Sequence, residues 1–476
     1  MNTTSPGTSF KQKGVIAPDS RTGGSPRSAI TEQILNAPPF GLLLQMASPN
    51  ALAFLVQASL SMAEAWYIAR LGTAPLAAIA LMFPALMLMQ MLANGAMGGA
   101  VSSAIARALG SGDEKRADAL VWHALMIAVA AGILFFLLFS LGGEWLLMKT
   151  GAPTAVIAQA HDYGSWLFAG SIPIWTVALL SAVVRGSGNM KLPALLMIGS
   201  AVVQVPLAGM LILGGLGIPA MGLPGAALGV IIISTLSTII LLVYLLRRPK
   251  APRLNRLALV VRGSLFGAIF QVGLLASLSP IFVVLTVMLV NVLVSKFGLA
   301  ALAGYGIVAR LEFLLVPLVF GLGSAMTSLV GTNVGAGQIG RAEQIGWTGA
   351  GSAAFLTGLV GLTFALFPGF WLALFTDSGA AWDAGESYLQ IVGPAFAFQG
   401  IGLSLYFASQ GAGTVIWPVI ATVLRFLIAV GGAWIGVRFF DQSLGYVYGC
   451  LAAGMVIYGL VTAASVYLGA WRRTGV

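Results

Sequence analysis

The chain has 476 residues, of which 58% are hydrophobic and only 8% charged. Soluble domains carry about 25% charged residues, so water is not the main solvent for this sequence. Its net charge of +10 comes from cations placed at the ends of apolar runs, which argues against nucleic acid as a partner, and one cysteine with two histidines excludes a disulfide framework or a Cys- or His-rich metal centre.

Residues 1–36 are rich in Ser, Thr, Gly and Pro with scattered Lys and Arg, and read as a disordered cytoplasmic tail. They are not a signal peptide, since no short apolar core with a cleavage site follows the charges. Twelve apolar runs come next, near 43–69, 75–105, 120–142, 161–184, 192–214, 223–246, 267–296, 300–332, 346–370, 387–409, 416–437 and 443–470. Each can cross a hydrocarbon core of about 30 Å. The runs are continuously apolar rather than alternating, so they span as helices and not as a β-barrel. The predicted fold is an all-α integral membrane protein of twelve transmembrane helices in two six-helix lobes, 43–246 and 265–470, joined by a cytoplasmic basic linker at 247–264.

Orientation follows from the positive-inside rule. With a cytoplasmic amino terminus, the inner loops hold Arg107, Lys115, Arg116, Arg185, Lys191, Arg341 and the linker cluster Arg247, Arg248, Lys250, Arg253, Arg256 and Arg262. The outer loops keep Arg70, Lys149, Lys296 and Arg438 beside acids such as Glu144, Asp162, Asp377 and Asp441. Both termini are then cytoplasmic.

The two lobes are copies. Leu109-Gly110-Ser111-Gly112, Arg116-Ala117 and Trp122 recur at one constant offset as Val334-Gly335-Ala336-Gly337, Arg341-Ala342 and Trp347. The same offset takes Tyr163 to Tyr388, Gly186-Ser187-Gly188 to Gly411-Ala412-Gly413, and Pro193 to Pro418. An even number of spans in each half makes the copies parallel, related by an axis along the membrane normal, as in transporters whose site lies between two lobes. The glycine motifs lack the lysine and strand context of a phosphate loop and read as a helix stop followed by a start signal.

Few polar residues lie deep in the spans. Glu64, in span one, is costly there unless neutralised, paired or facing a water-filled cavity, which makes it a functional candidate. An interfacial glutamate near the span end at Arg70 is the alternative. Pro49 lies about 22 Å earlier on a helix rising about 1.5 Å per residue, and either bends the span or merely opens it. Gln57 shares a helix face with Glu64 and either lines a cavity or bonds a neighbouring helix. Glu312 is another cavity candidate, although it follows Arg310-Leu311 closely enough to form a structural pair with Arg310 or an anchor near an interface. Arg425 reads as a helix-bracing cation satisfied by carbonyls, the alternative being a substrate ligand. Asn94 and Asn291 are further cavity candidates. Met82, Met87, Met89, Met91 and Met97 suit either a pliable pocket or a lipid-facing surface. No nucleophile–base pair or metal-ligand spacing stands out, so an enzyme has no site to rest on and no catalytic residue is assigned.

The segments Arg70-Leu71-Gly72-Thr73-Ala74-Pro75-Leu76-Ala77-Ala78, Ala108-Leu109-Gly110-Ser111-Gly112 and Arg185-Gly186-Ser187-Gly188 resemble the MATE family, the multidrug and toxic compound extrusion transporters. Gly304-Tyr305-Gly306-Ile307-Val308-Ala309-Arg310-Leu311-Glu312 and Thr332-Asn333-Val334-Gly335-Ala336-Gly337 are similar to its DinF-like bacterial branch. The resemblance implies a V of two six-helix lobes in a bacterial inner membrane. It implies export of small amphipathic or cationic organic compounds in exchange for H⁺ or Na⁺, with no other cofactor and a monomer expected. It places Glu64 where the family carries an acid in span one, and Pro49 where related members carry a proline whose bending accompanies ion binding. DinF-like relatives often have an Asn and an Asp one turn apart in span five, whereas Gln204 and Ala208 stand here. With one carboxylate left in that lobe, H⁺ is favoured over Na⁺, and Gln204 joins the cavity candidates. The alternative is a lipid-linked oligosaccharide flippase of the MurJ or Wzx kind, which is expected to show more cations in its cavity.

Overall fold

A computed structural model describes residues 28–472, Leu216 excepted. Among them every extended element is a helix, and the one β-type pairing is an isolated bridge between Gly215 and Ile218. The amino-terminal lobe contains spans one to six: Pro39–Ala69, Thr73–Gly110, Glu114–Met148, the pair Thr154–Ala169 and Ser171–Gly186, Lys191–Leu213, and Leu223–Arg247. Spans seven to twelve form the second lobe: Gly263–Ser295, Leu299–Gly335, Ile339–Leu366, Ala380–Ala412, Ile416–Phe439 and Leu444–Tyr467. Eleven are single helices long and apolar enough to cross a membrane, and span four completes twelve as a pair bent by 51°. The bend falls at Gly170, where an added Cβ would lie 2.3 Å from the Ile231 side chain. Pro173 sits in the first turn of the second segment, where a missing N–H is tolerated.

Span two is also irregular. Its stretch Met91–Met97 is a π-helical turn, which turns backbone carbonyls away from regular partners. The methionines of this span are not mainly lipid-facing: Met82, Met89 and Met97 are buried in the lobe's core, and half-buried Met91 lines a cavity described below. Apolar content alone does not separate a core-facing from a lipid-facing thioether.

The expected tail of residues 1–36 needs correction at its end. Ala29–Asn36 is a helix, capped by the Ser28 hydroxyl, which accepts a hydrogen bond from the Thr31 N–H at 3.2 Å. Ile34 and Leu35 are buried, and the Arg341 guanidinium donates to the carbonyls of Ile34 and Ala37. The helix is stabilised by these tertiary contacts; a segment this short gives little periodic signal by itself. Residues 1–27 lie outside the described residues.

The linker after Arg247 is docked on span three. Asp118 accepts from the Arg253 backbone N–H at 2.9 Å and pairs with its guanidinium at 3.3 Å. The Trp122 indole donates to the Asn255 carbonyl at 2.9 Å, and His123 accepts from the Arg262 N–H at 3.2 Å. The second half repeats the device. Glu343, the counterpart of Asp118, takes both hydrogen bonds of Arg472 at 2.8 and 2.7 Å after span twelve. In each lobe an acid near the start of the third span thus holds an arginine that follows the sixth.

The lobes meet through equivalent helix pairs, span one on span eight and span two on span seven. The contacts that tie them cluster in the linker-side halves of the spans. Asn50 of span one, 2% exposed, donates to the Ser324 hydroxyl of span eight at 2.8 Å, and Phe54 meets Phe320 edge-on at 6.1 Å.

Candidate functional site

Glu64 lies in the half of span one furthest from the linker, half-buried against span five. The buried Gln204 amide donates to its carboxylate at 2.5 Å. Tyr163 of span four stands close enough to feel the same charge. Ala208, one turn further along span five, brings only a methyl group to this neighbourhood and is fully buried. Two of the sequence candidates, Glu64 and Gln204, therefore form one site. Gln57 does not join them: it is exposed.

Pro49 lies inside the span-one helix, which begins with Pro39, so it does not open the helix. Its ring removes one backbone hydrogen bond and weakens the helix there. The next residue is Asn50, whose bond to Ser324 crosses between lobes. The weakest point of span one thus sits beside its anchor on span eight, while Glu64 occupies the far half. Asn50 escaped the sequence reading because a single polar residue beside a proline looks like a helix boundary.

Glu312 is not paired with Arg310. The Tyr388 hydroxyl donates to Glu312, whereas exposed Arg310 lies over the Phe375 ring at 5.2 Å. Two positions apart on a helix, the side chains project to different faces. Tyr388 is packed edge-on by Tyr305 and Tyr448 at 5.7 and 4.9 Å. Glu312 lines a cavity with Thr357, Phe396 and Gln399. A neighbouring cavity shares Gln399 and Leu403 with it and reaches the lobe boundary, with Met91 and Gly95 of span two on one wall and Arg425 and Tyr458 on the other. Arg425 is held by a side chain rather than by helix carbonyls. Its guanidinium donates to the Gln399 side chain at 2.7 Å.

Asn94 and Asn291 serve their own helices. Asn94 donates to the Gln90 side chain at 2.9 Å, and Asn291 to the Val287 carbonyl at 2.8 Å. Neither lines these two cavities.

Below the cavities, on the linker side, the glycine motifs close the seam. A Cβ on Gly110 would lie 2.1 Å from the Thr332 carbonyl oxygen, and one on Gly335 would lie 2.2 Å from that of Arg107. Arg107 and Thr332 are themselves repeat partners, so the contact is reciprocal across the pseudo-twofold. Ser103 and Arg107 of span two hydrogen-bond each other and the Gln410–Gly411 carbonyls of span ten. The Gln410 amide, fully buried, donates back to Gly95 at 3.1 Å, a carbonyl of the π-helical turn. The sequence showed a helix stop in these motifs. That they also let two backbones touch requires knowing which helices face each other.

Comparison with known proteins gives one answer. The MatE family profile matches residues 49–210 and 276–435, more than half the chain. The probable multidrug resistance protein YoeA of Bacillus subtilis is 26% identical over 78% of this chain and 79% of its own length. A FAD transporter of Shewanella oneidensis is 28% identical, covering 65% and 69%. Among solved structures, a MOP superfamily transporter from Pyrococcus furiosus superposes with a TM-score of 0.86 at 23% identity, covering 94% of this chain and all of that one. An outward-facing multidrug resistance MATE family transporter does so at 0.84 and 22%, with 94% of this chain and 100% of that one covered.

Proposed function

The chain belongs to the MatE family of multidrug efflux transporters, and from that premise we propose that it exports small amphipathic or cationic compounds by antiport with H⁺. The observation that carries the choice of ion is the Glu64–Gln204 pair. A hard cation stripped of water needs a shell of several oxygens. Among the described residues, the side-chain hydrogen bond to Glu64 comes from an amide, and Ala208 offers no further oxygen. A single carboxylate with an amide partner is enough to take up and release a proton.

The coupling runs along span one. In the state described here the lobes are sealed on the linker side, by the Gly110–Thr332 and Gly335–Arg107 contacts. With the linker cytoplasmic, as the distribution of arginines supports, this is an outward-facing arrangement. Protonation of Glu64 removes the charge that the Gln204 N–H binds. The far half of span one is then free to move about Pro49, and Asn50 passes the motion to span eight through Ser324. Coupling demands that the proton bind the two arrangements with different affinity. The flippase alternative, which is expected to show more cations in its cavity, receives less support: Arg425 lines a cavity, whereas Arg310 lies exposed over the Phe375 ring.

Everted membrane vesicles test the ion directly. An imposed pH gradient, with the vesicle interior acidic and Na⁺ absent, is expected to drive uptake of the dye rhodamine B. A Na⁺ gradient at equal pH is expected to drive none. Uptake on Na⁺ alone would overturn the proton assignment.

A further inference from the structure

The duplication supplies an internal control for the central cavity. At the repeat offset Arg425 corresponds to Ser200, Gln399 to Ile174 and Tyr458 to Ile233. In the amino-terminal lobe these positions are closed off: Ser200 bonds Ser237 at 3.0 Å, and Ile174 and Ile233 are buried in apolar packing. In the second lobe the same three positions hold a guanidinium, an amide that binds it at 2.7 Å, and an aromatic ring 5.8 Å from it. All three line the cavity at the lobe boundary. The cation is therefore present in one copy only, where the cavity is.

An arginine in an apolar cavity is costly unless its donors are used, and its planar fork is matched by carboxylate or phosphate oxygens. Arg425 donates to an amide oxygen, while Glu312 lines the neighbouring cavity with its carboxylate held by Tyr388. The remaining wall is mostly apolar and aromatic, from Met91, Pro280, Val283 and Phe320, with the hydroxyl residues Ser279, Thr422 and Tyr406 among them. The two cavities adjoin, sharing Gln399 and Leu403 in their walls.

We propose that Arg425, oriented by Gln399, is the docking point for an anionic group on the transported molecule, so that the cavity selects amphiphiles bearing a carboxylate or phosphate over their neutralised analogues. This rests on the export reading above and narrows its substrate class. Tyr458 flanks the guanidinium, and the Met91–Phe320 wall takes the apolar body.

The test compares rhodamine B, which has a free carboxylate, with its ethyl ester, in binding to the full-length protein in lipid nanodiscs and in uptake by proteoliposomes. The wild type is expected to bind the acid roughly tenfold more tightly than the ester, as one charge-assisted contact predicts. Arg425→Gln is expected to weaken the acid alone and erase the preference, and Arg425→Lys to keep part of it. Gln399→Leu, which leaves the charge but not its orientation, reduces the preference and serves as the second variant if Arg425→Gln does not fold. Equal binding of the two dyes by the wild type, or an equal loss of both in Arg425→Gln, overturns the proposal. Discrimination in binding with no gradient-driven uptake of either dye would leave the site standing and remove the export reading. Uptake without discrimination would do the reverse.

Discussion

Glu64→Gln is expected to reduce pH-gradient-driven uptake of rhodamine B to the level of vesicles lacking the protein, while dye binding without a gradient persists. The substitution is nearly isosteric, and an amide at position 64 can still bond the Gln204 side chain, so spans one and five stay packed. What it removes is the capacity to exchange a proton. A structural role would predict the opposite pattern, with intact transport in whatever protein folds. Glu64→Asp sharpens the distinction: the shorter carboxylate still titrates but falls short of Gln204, and reduced, pH-driven uptake is expected. Unchanged uptake by Glu64→Gln would refute the assignment of this residue.

The second large effect concerns the seam. Gly335→Val places a side chain 2.2 Å from the Arg107 carbonyl oxygen, a backbone atom that moves only with its helix. Overpacking of this kind costs about 1–3 kcal/mol, and it acts on the sealed arrangement alone, because the contact disappears once the lobes part. A differential cost of this size moves a two-state equilibrium by roughly 5- to 150-fold. Ser103→Cys, buried at the seam, reports the shift when placed in a Cys450→Ser background. Labelling by an impermeant maleimide from the linker side is expected to accelerate strongly in Gly335→Val. It should remain slow in Gly449→Ala, where an added Cβ meets nothing within 4 Å. Equal labelling in both would mean that the glycine contact does not seal the lobes.

Much of the architecture is legible in the sequence, because a bilayer imposes it. All twelve spans lie where runs of apolar residues place them, and the repeat offset gives the lobes and their pseudo-twofold axis. Span four is the partial exception: its apolar run contains Gly170, and nothing local announces that Ile231 forces a bend there. The site is legible only where burial is expensive. Glu64 stands out as a carboxylate in an apolar run, and Gln204 through the family's span-five motif. Glu312 is legible too as a cavity candidate, but its partner is not the nearby Arg310, since Tyr388 comes from span ten. Asn50, Gln399, Gln410 and the reciprocal Gly110–Gly335 contact depend on which helices face one another, and neutral side chains carry no signal of that. The repeat offset, applied position by position, would have exposed one such feature: a cation at 425 opposite a serine at 200 is an asymmetry readable without coordinates.

Substrate and proton are held to compete through span one, and a proton count measures that most directly. Purified protein in weakly buffered solution, near the pH at which Glu64 is half protonated, is mixed with saturating rhodamine B while a pH indicator is followed. Release of about half a proton per protein, absent in Glu64→Gln, is the predicted result for linked binding at one half-protonated carboxylate. No release from the wild type, or the same release from Glu64→Gln, would contradict it.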